Sequence, residues 1–428
     1  MSLSFSTVRA NLGEVRSFDI GPMLPVQQHF PSDSIHDLST ILSQGIAHCD
    51  PTGLAGKKIA IAAGSRGIKG IVTILSETVR VLKALEARPF IVPAMGSHGG
   101  ATAHGQVAVL ESLGITEKRV GAPIHSSMEV VPLGTTEHGL DVYCDKLAFD
   151  ADGIIICNRI KVHPVFKADF ESGIAKMIAI GLGKHKGAVA AHHQGFDQFA
   201  HVIPAAARLS LARSPILCGI AIIENSYGEL AEVEVLKPEQ ILDREPLLLR
   251  EAKRIMGRLL MDEIDILIVD EIGKDISGGG LDANVTGRSA WGLPGFTAPP
   301  IQRIIVRDLT EATHGNAIGI GLADFTTRRC AEKIDLATMY TNALTAHSLL
   351  SPKIPVITEN DRDAVIAALH TLPGGVPEAP LVVRVANTKD LDMIWMSHSY
   401  GEFIRQNHKL EITGESKPLQ FDGSGNLI

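Results

Sequence analysis

Short apolar runs that stop at a glycine or a polar loop constrain this chain more than any other feature. Lys58–Ala63 reads KIAIAA and gives way to Gly64, and residues 89–93 read PFIVP before the loop GSHGGAT at 96–102. Residues 151–157 end at Cys157 ahead of Asn158, and residues 265–269 read DILIV ahead of a glycine-rich loop at 273–287. Runs this short and this apolar are buried strands rather than helices. Between the first two, Ile71, Ile74, Leu75, Val79, Leu82 and Leu85 recur at helical spacing, which predicts a helix over 71–87; a second is expected over 103–113. Buried strands alternating with helices make an α/β chain with mainly parallel, doubly wound sheets. In such sheets ligands bind beyond the carboxyl ends of the strands.

At 428 residues the chain is long enough for two or three domains of roughly 150 residues each. The expected division is an N-terminal α/β cofactor-binding domain over 1–260 and a C-terminal α/β domain over 261–428 that closes an active-site cleft. A strongly helical stretch at 245–262 would join them. Further apolar runs occur at 304–306, 317–322 and 381–385, and residues 422–426 (DGSGN) read as a loose tail.

Composition removes several function classes. The net charge of −8 leaves no broad cationic footprint for nucleic acid, and 4% aromatic residues give no stacking platform for single strands. Residues 1–20 lack a basic start followed by an apolar run, and the apolar runs fall far short of the ~20 residues of a membrane helix. Five cysteines without a CxxC pair read as reduced thiols, so a cytoplasmic protein is expected. The 41 glycines and 17 histidines suggest loops that approach a ligand closely and imidazoles that move protons or bind metal.

Four segments can carry chemistry. Gly64-Ser65-Arg66-Gly67 offers a guanidinium after a strand, suited to a carboxylate; a solvated surface turn is the competing reading. In the loop 96–102, His98 stands among small residues, open to acid–base work or held as a hydrogen-bonded turn residue. Residues 158–194 hold Lys161, Lys167, Lys176, Lys184 and Lys186 with His163, His185, His192 and His193, set among Ile, Ala, Met and Gly. A basic surface helix would keep acidic neighbours, so an anionic cofactor or substrate better explains the positive charge. His192 and His193 lie about 100° apart on a helix, so one of the two faces a given ligand. The loop 273–288 could form an anion nest, with Lys274 or Arg288 supplying charge, or a flexible turn without a ligand.

The blocks GSRG and GSHGG, together with the spacing of His163, Lys176 and His192, resemble the nickel-dependent lactate racemase family of 2-hydroxyacid racemases and epimerases. That resemblance implies two α/β domains and a nickel-pincer nucleotide, a pyridinium thioamide/thiocarboxylic acid mononucleotide that an isolated preparation need not carry. It implies that Lys176, sixteen positions before His192, tethers the cofactor, that His192 ligates nickel, that His98 and His163 act as acid and base, and that Arg66 holds the substrate. Ala63-Gly64-Ser65 stands where the lactate enzymes carry an acidic loop, so a hydroxyacid other than lactate is expected. The partners implied are small-molecule 2-hydroxyacids, with no nucleic acid and no membrane. The alternatives are a nicotinamide-dependent oxidoreductase, against which no GxGxxG follows the first strand, and a non-catalytic small-carboxylate-binding protein.

Overall fold

The computed structural model describes residues 20–50, 53–65 and 67–428. They divide into two compact units, Pro31–Met256 and a unit that joins residues 20–30 to Gly257–Ile428. The N-terminal strand β1 (Met23–Gln28) pairs within the second unit. The expected division, 1–260 against 261–428, thus differs from the observed one at both ends. Residues 23–28 (MLPVQQ) carry no signal of the strands they pair with, which lie far along the chain.

In Pro31–Met256 the strands follow in chain order as β2 (Lys58–Ala63), β3 (Arg88–Pro93), the hairpin β4 (Val130–Thr135) and β5 (Asp141–Asp145), β6 (Gly153–Arg159), β7 (Ile216–Glu224) and β8 (Leu230–Leu236). Five of them form a sheet in the order β3-β2-β6-β7-β8, parallel throughout except for β8. Helices α1 (Leu38–Cys49) and α2 (Ile71–Ala84) turn Leu42, Ile46, Ile74, Leu75 and Leu82 onto a core shared with Ile59, Ile61 and Ile155. Helix α2 stops short of residue 87 because Glu86 adopts a left-handed backbone, φ 59°, and the Ala87 N–H turns back to the Leu82 carbonyl at 3.0 Å. The helix expected over 103–113 is α3 (Ala103–Ser112), capped by the Thr102 hydroxyl. The α/β fold with mainly parallel sheets expected from the sequence is observed.

After α3 come α4 (Lys184–His193), α5 (Phe199–Arg213) and α6 (Pro238–Ile255). The helical stretch expected at 245–262 begins earlier and ends earlier than its composition suggests. Pro238 suits a first helical position, and the Lys237 N–H is met by the Gln240 side chain at 3.0 Å.

The second unit holds β9 (Ile264–Ile272), β10 (Ile301–Leu309), β11 (Phe325–Thr327), β12 (Val356–Thr358), β13 (Val382–Val385), β14 (Met393–Ser397) and β15 (Leu410–Ile412). With β1 they form one sheet in the order β12-β11-β10-β9-β13-β14-β1-β15, parallel from β12 to β13 and antiparallel beyond. The tail at 422–426 is not loose. It turns back so that Phe421 bridges Leu427, and the Leu427 carbonyl accepts from the buried Arg307 guanidinium at 2.6 Å. The Leu427 N–H donates to Asp361 at 2.8 Å.

Two glycines in this unit are required by close approach. A Cβ at Gly280, φ +77°, would lie 1.6 Å from the Ile318 carbonyl oxygen, and one at Gly319, φ +97°, 2.2 Å from that of Gly279. The glycine-rich loop is therefore in part a backbone-to-backbone packing device. Gly280→Ala is expected to destabilise the protein by about 1–3 kcal/mol through overpacking and strain. Gly423→Ala, where a Cβ meets nothing within 4 Å, should stay within about 0.5 kcal/mol. Denaturant unfolding of the two variants checks this.

Candidate active site

The order β3-β2-β6-β7 places a topological switch between β2 and β6, since the chain runs from β2 outward to β3 and later returns to the other side of β2. The crevice beyond the carboxyl ends of such strands is where an open parallel sheet binds ligands. The loop after β2 begins at Gly64, where a Cβ would sit 3.0 Å from the Met177 methyl carbon and 3.6 Å from Asn158 Oδ1. Arg66, in the same loop, lies outside the described residues. The loop after β3 carries His98, and the loop after β6 carries His163 and leads to the turn Ile174–Lys176.

His163, Lys176 and His192 converge on one aromatic cluster. The His163 ring packs 4.5 Å from the Phe166 ring, and Lys176 Nζ lies 5.7 Å from the centroid of that same ring. Phe166 contacts Phe199 at 5.3 Å and Phe196 at 6.3 Å. His192 lies 5.4 Å from Phe196 and 5.8 Å from Phe199. His193, its neighbour on α4, is exposed, whereas His192 is half-buried against the phenylalanines. Nδ1 of His163 accepts from the Val165 N–H at 3.2 Å, which leaves Nε2 to carry the proton of the neutral ring.

Behind these side chains lies a layer of buried charge. Lys184 is fully buried at the start of α4 with a left-handed backbone, φ 52°. Its ammonium group donates to Gln106 Oε1 at 3.0 Å and to the Pro93 carbonyl at 2.5 Å, and pairs with the Asp145 carboxylate at 2.9 Å. Burial lowers the Lys184 pKa, and Asp145 opposes that shift. Gln106 passes the hold on, donating to the Gly96 carbonyl at 2.9 Å and to that of His98 at 3.4 Å. The exposed His98 is thereby fixed to the base of α4, the helix that carries His192 in its last turn.

Glu171 does the same for His163. Its carboxylate accepts from the His163 N–H at 2.6 Å and pairs with Lys167 at 3.0 Å and Lys253 at 2.7 Å. The loop between is closed by paired backbone bonds between Lys161 and Ser172. Glu245, on α6, accepts from the Ala175 N–H at 2.8 Å, one residue before Lys176. Cys157, at the carboxyl end of β6, is no nucleophile, because burial pushes its thiol up to about 12. Among the described residues no three His, Cys, Asp or Glu side chains form a self-contained metal site.

Residues 59–201 match the family model of the lactate racemase N-terminal domain. The match spans β2, β3, β6, the loops beyond them and α4, and so contains His98, His163, Lys176 and His192. The likeness to the lactate racemase family holds for that segment, and a racemase-like role is what it supports. No curated protein matches the chain. Among solved structures, a crystal structure of a Thermotoga maritima protein is 15% identical, with TM-score 0.45 over 65% of this chain and 72% of that one. The lactate racemase apoprotein from Thermoanaerobacterium thermosaccharolyticum is 14% identical, with TM-score 0.41 over 66% of this chain and 74% of that one.

Lys274 and Arg288 belong to the other unit. Lys274 Nζ donates to the Gly278 carbonyl at 2.9 Å within its own loop. Arg288 pairs with Asp324 at 2.8 Å and donates to the carbonyls of Leu322, Ile301 and Gln302. Its guanidinium is committed to holding that unit together rather than presented to a bound anion.

Sequence reading missed the layer of Lys184, Gln106, Glu171 and Glu245. Removing one partner of a buried ion pair strands the other. Lys184→Ala is therefore expected to cost about 3–5 kcal/mol, whereas Lys186→Ala, at an exposed position, should stay within about 0.5 kcal/mol. Urea denaturation monitored by circular dichroism compares them.

Proposed function

We propose that this chain is a racemase or epimerase that inverts C2 of a 2-hydroxyacid with a nickel-pincer nucleotide attached at Lys176. The observation that supports this most is the convergence of Lys176, His163 and His192 on Phe166, Phe196 and Phe199, at the carboxyl edge of a parallel sheet and inside the racemase-like segment. The donor set fits the group: a half-buried lysine amine for covalent attachment, one imidazole on the same cluster for the metal, and apolar walls that exclude water. When bound, the cofactor would supply reversible hydride acceptance at C2.

The chain's own residues do the rest. Removing hydrogen from C2 leaves a planar keto acid, and the hydroxyl proton must leave as the carbonyl forms and return afterwards. His163, with its proton on Nε2, and His98, on the loop after β3, are the two groups assigned to that proton, one for each face. Arg66 would hold the carboxylate, its planar fork matching two oxygens. Ala63-Gly64-Ser65 carries no acid, which favours a substrate larger or more anionic than lactate. No helix among the described residues is long and apolar enough to cross a membrane. The five cysteines are unpaired thiols, which supports assignment to the cytoplasm.

Protein produced alongside the cofactor-synthesis enzymes should carry a mass adduct on Lys176 and bound nickel. Lys176→Ala should lose the adduct, and His192→Ala should lose nickel. His98→Ala and His163→Ala should keep both and lower racemisation by roughly 10²–10⁴-fold. Peptide mass spectrometry, metal analysis and chiral chromatography over a hydroxyacid panel read these outcomes; an unmodified, nickel-free protein would sink the reading.

A further inference from the structure

Glu245 is a carboxyl group for which neither the fold nor the proposed reaction accounts. It is buried to 1% exposure on α6. Oε2 accepts the Ala175 N–H at 2.8 Å, while Oε1 is sealed with no hydrogen-bond partner. A Cβ on residue 173 would lie 2.1 Å from Oε1, so glycine is required at 173 for space, its own φ of 178° being open to any residue. The Gly173-Ile174-Ala175-Lys176 stretch is thus matched to a carboxyl group 70 residues from Ala175.

Among the described residues no cation is paired with that carboxyl. On its own helix Arg244 is paired with Glu234 of β8, and Lys253 with Glu171. Lys167, on the loop before the turn, also pairs with Glu171. Glu232 lies on β8, and β7 contributes Gly219, whose missing side chain makes room for Ile174. Burial raises Glu245 to about 7, opposed by the Ala175 amide that bonds Oε2 and more weakly by the neighbouring Ile174 amide, which makes no hydrogen bond to Oε1.

We propose that Glu245 is a positioning residue that makes the seating of the Lys176 turn depend on pH. With the carboxyl protonated, the turn closes over it. Ionisation leaves a charged oxygen without a donor, and the turn opens to admit water. The sign follows from linkage: the closed turn binds the proton more tightly than an opened, hydrated one, so rising pH favours opening. Presentation of Lys176 would then be tightest below neutrality. The proposal deepens the reading of Lys176 as the attachment lysine and rests on it for its functional meaning.

Amide hydrogen exchange, read as protection relative to intrinsic rates, tests it on the full chain without cofactor. Protection of the amides at 174–176 should fall roughly tenfold between pH 6 and pH 8, most of it between pH 6 and the midpoint near 7, and level off above. Glu245→Gln keeps the shape and an acceptor oxygen but cannot ionise, so its profile should be flat. A flat wild-type profile would overturn the proposal, and so would a fall that persists in Glu245→Gln. The wild-type profile is decisive even where the variant does not fold. An unmodified Lys176 in cofactor-loaded protein would defeat the attachment reading and leave this exchange behaviour unaffected, so the two failures are distinguishable.

Discussion

A single fully buried ammonium group holds the candidate site together. Lys184 sits where β3, β5, α3 and α4 meet: it donates to acceptors on β3 and α3 and pairs with a carboxylate on β5. A buried charge survives only when its partners repay the loss of water, so these elements cannot shift independently. His98 hangs from this node through Gln106, and His192 lies in the last turn of the helix that starts at it. Lys184 itself adopts a left-handed backbone, a conformation that costs a non-glycine residue of order 1–3 kcal/mol and persists where surrounding contacts over-determine it.

The same device recurs at the other site residues. Glu171 fixes the backbone at His163, and Glu245 fixes the backbone before Lys176. His98 is exposed and His163, Lys176 and His192 are half-buried, while Lys184, Glu171 and Glu245 behind them are buried. Groups that must reach a substrate need solvent access; groups that aim them need fixed geometry and a dry setting, in which electrostatic interactions are stronger.

The parallel strands were legible because burial on both faces leaves continuous apolar runs, as in KIAIAA and DILIV. The crossover of β1 was not, since MLPVQQ carries no mark of the distant strands it joins, and the tail at 422–426 looked loose because Arg307, which holds the next residue Leu427, lies 120 residues from it. Among the candidate site residues, Lys176 and His192 were singled out because their spacing resembles that of the lactate racemase family. Lys184 could be seen as a lysine in an apolar setting but was read as charge for an anionic ligand. Its acceptors, Gln106 and the Pro93 carbonyl, lie 78 and 91 residues away. Pairing across such separations is a property of the fold, and no local pattern displays it. The glycine-rich loop at 273–287 is the converse case: its composition suggested an anion nest, and close packing against Ile318 explains Gly280 without a ligand.

In the proposed reaction the hydrogen removed from C2 returns to the same carbon, and the histidines handle only the hydroxyl proton. The most direct measurement uses a single-enantiomer 2-hydroxyacid deuterated at C2 and cofactor-loaded protein in ordinary water. Hydride return predicts inverted product that keeps its deuterium, read by chiral separation coupled to mass spectrometry. Inverted product with the label washed out into solvent would mean that C2 is deprotonated instead, and would contradict the account.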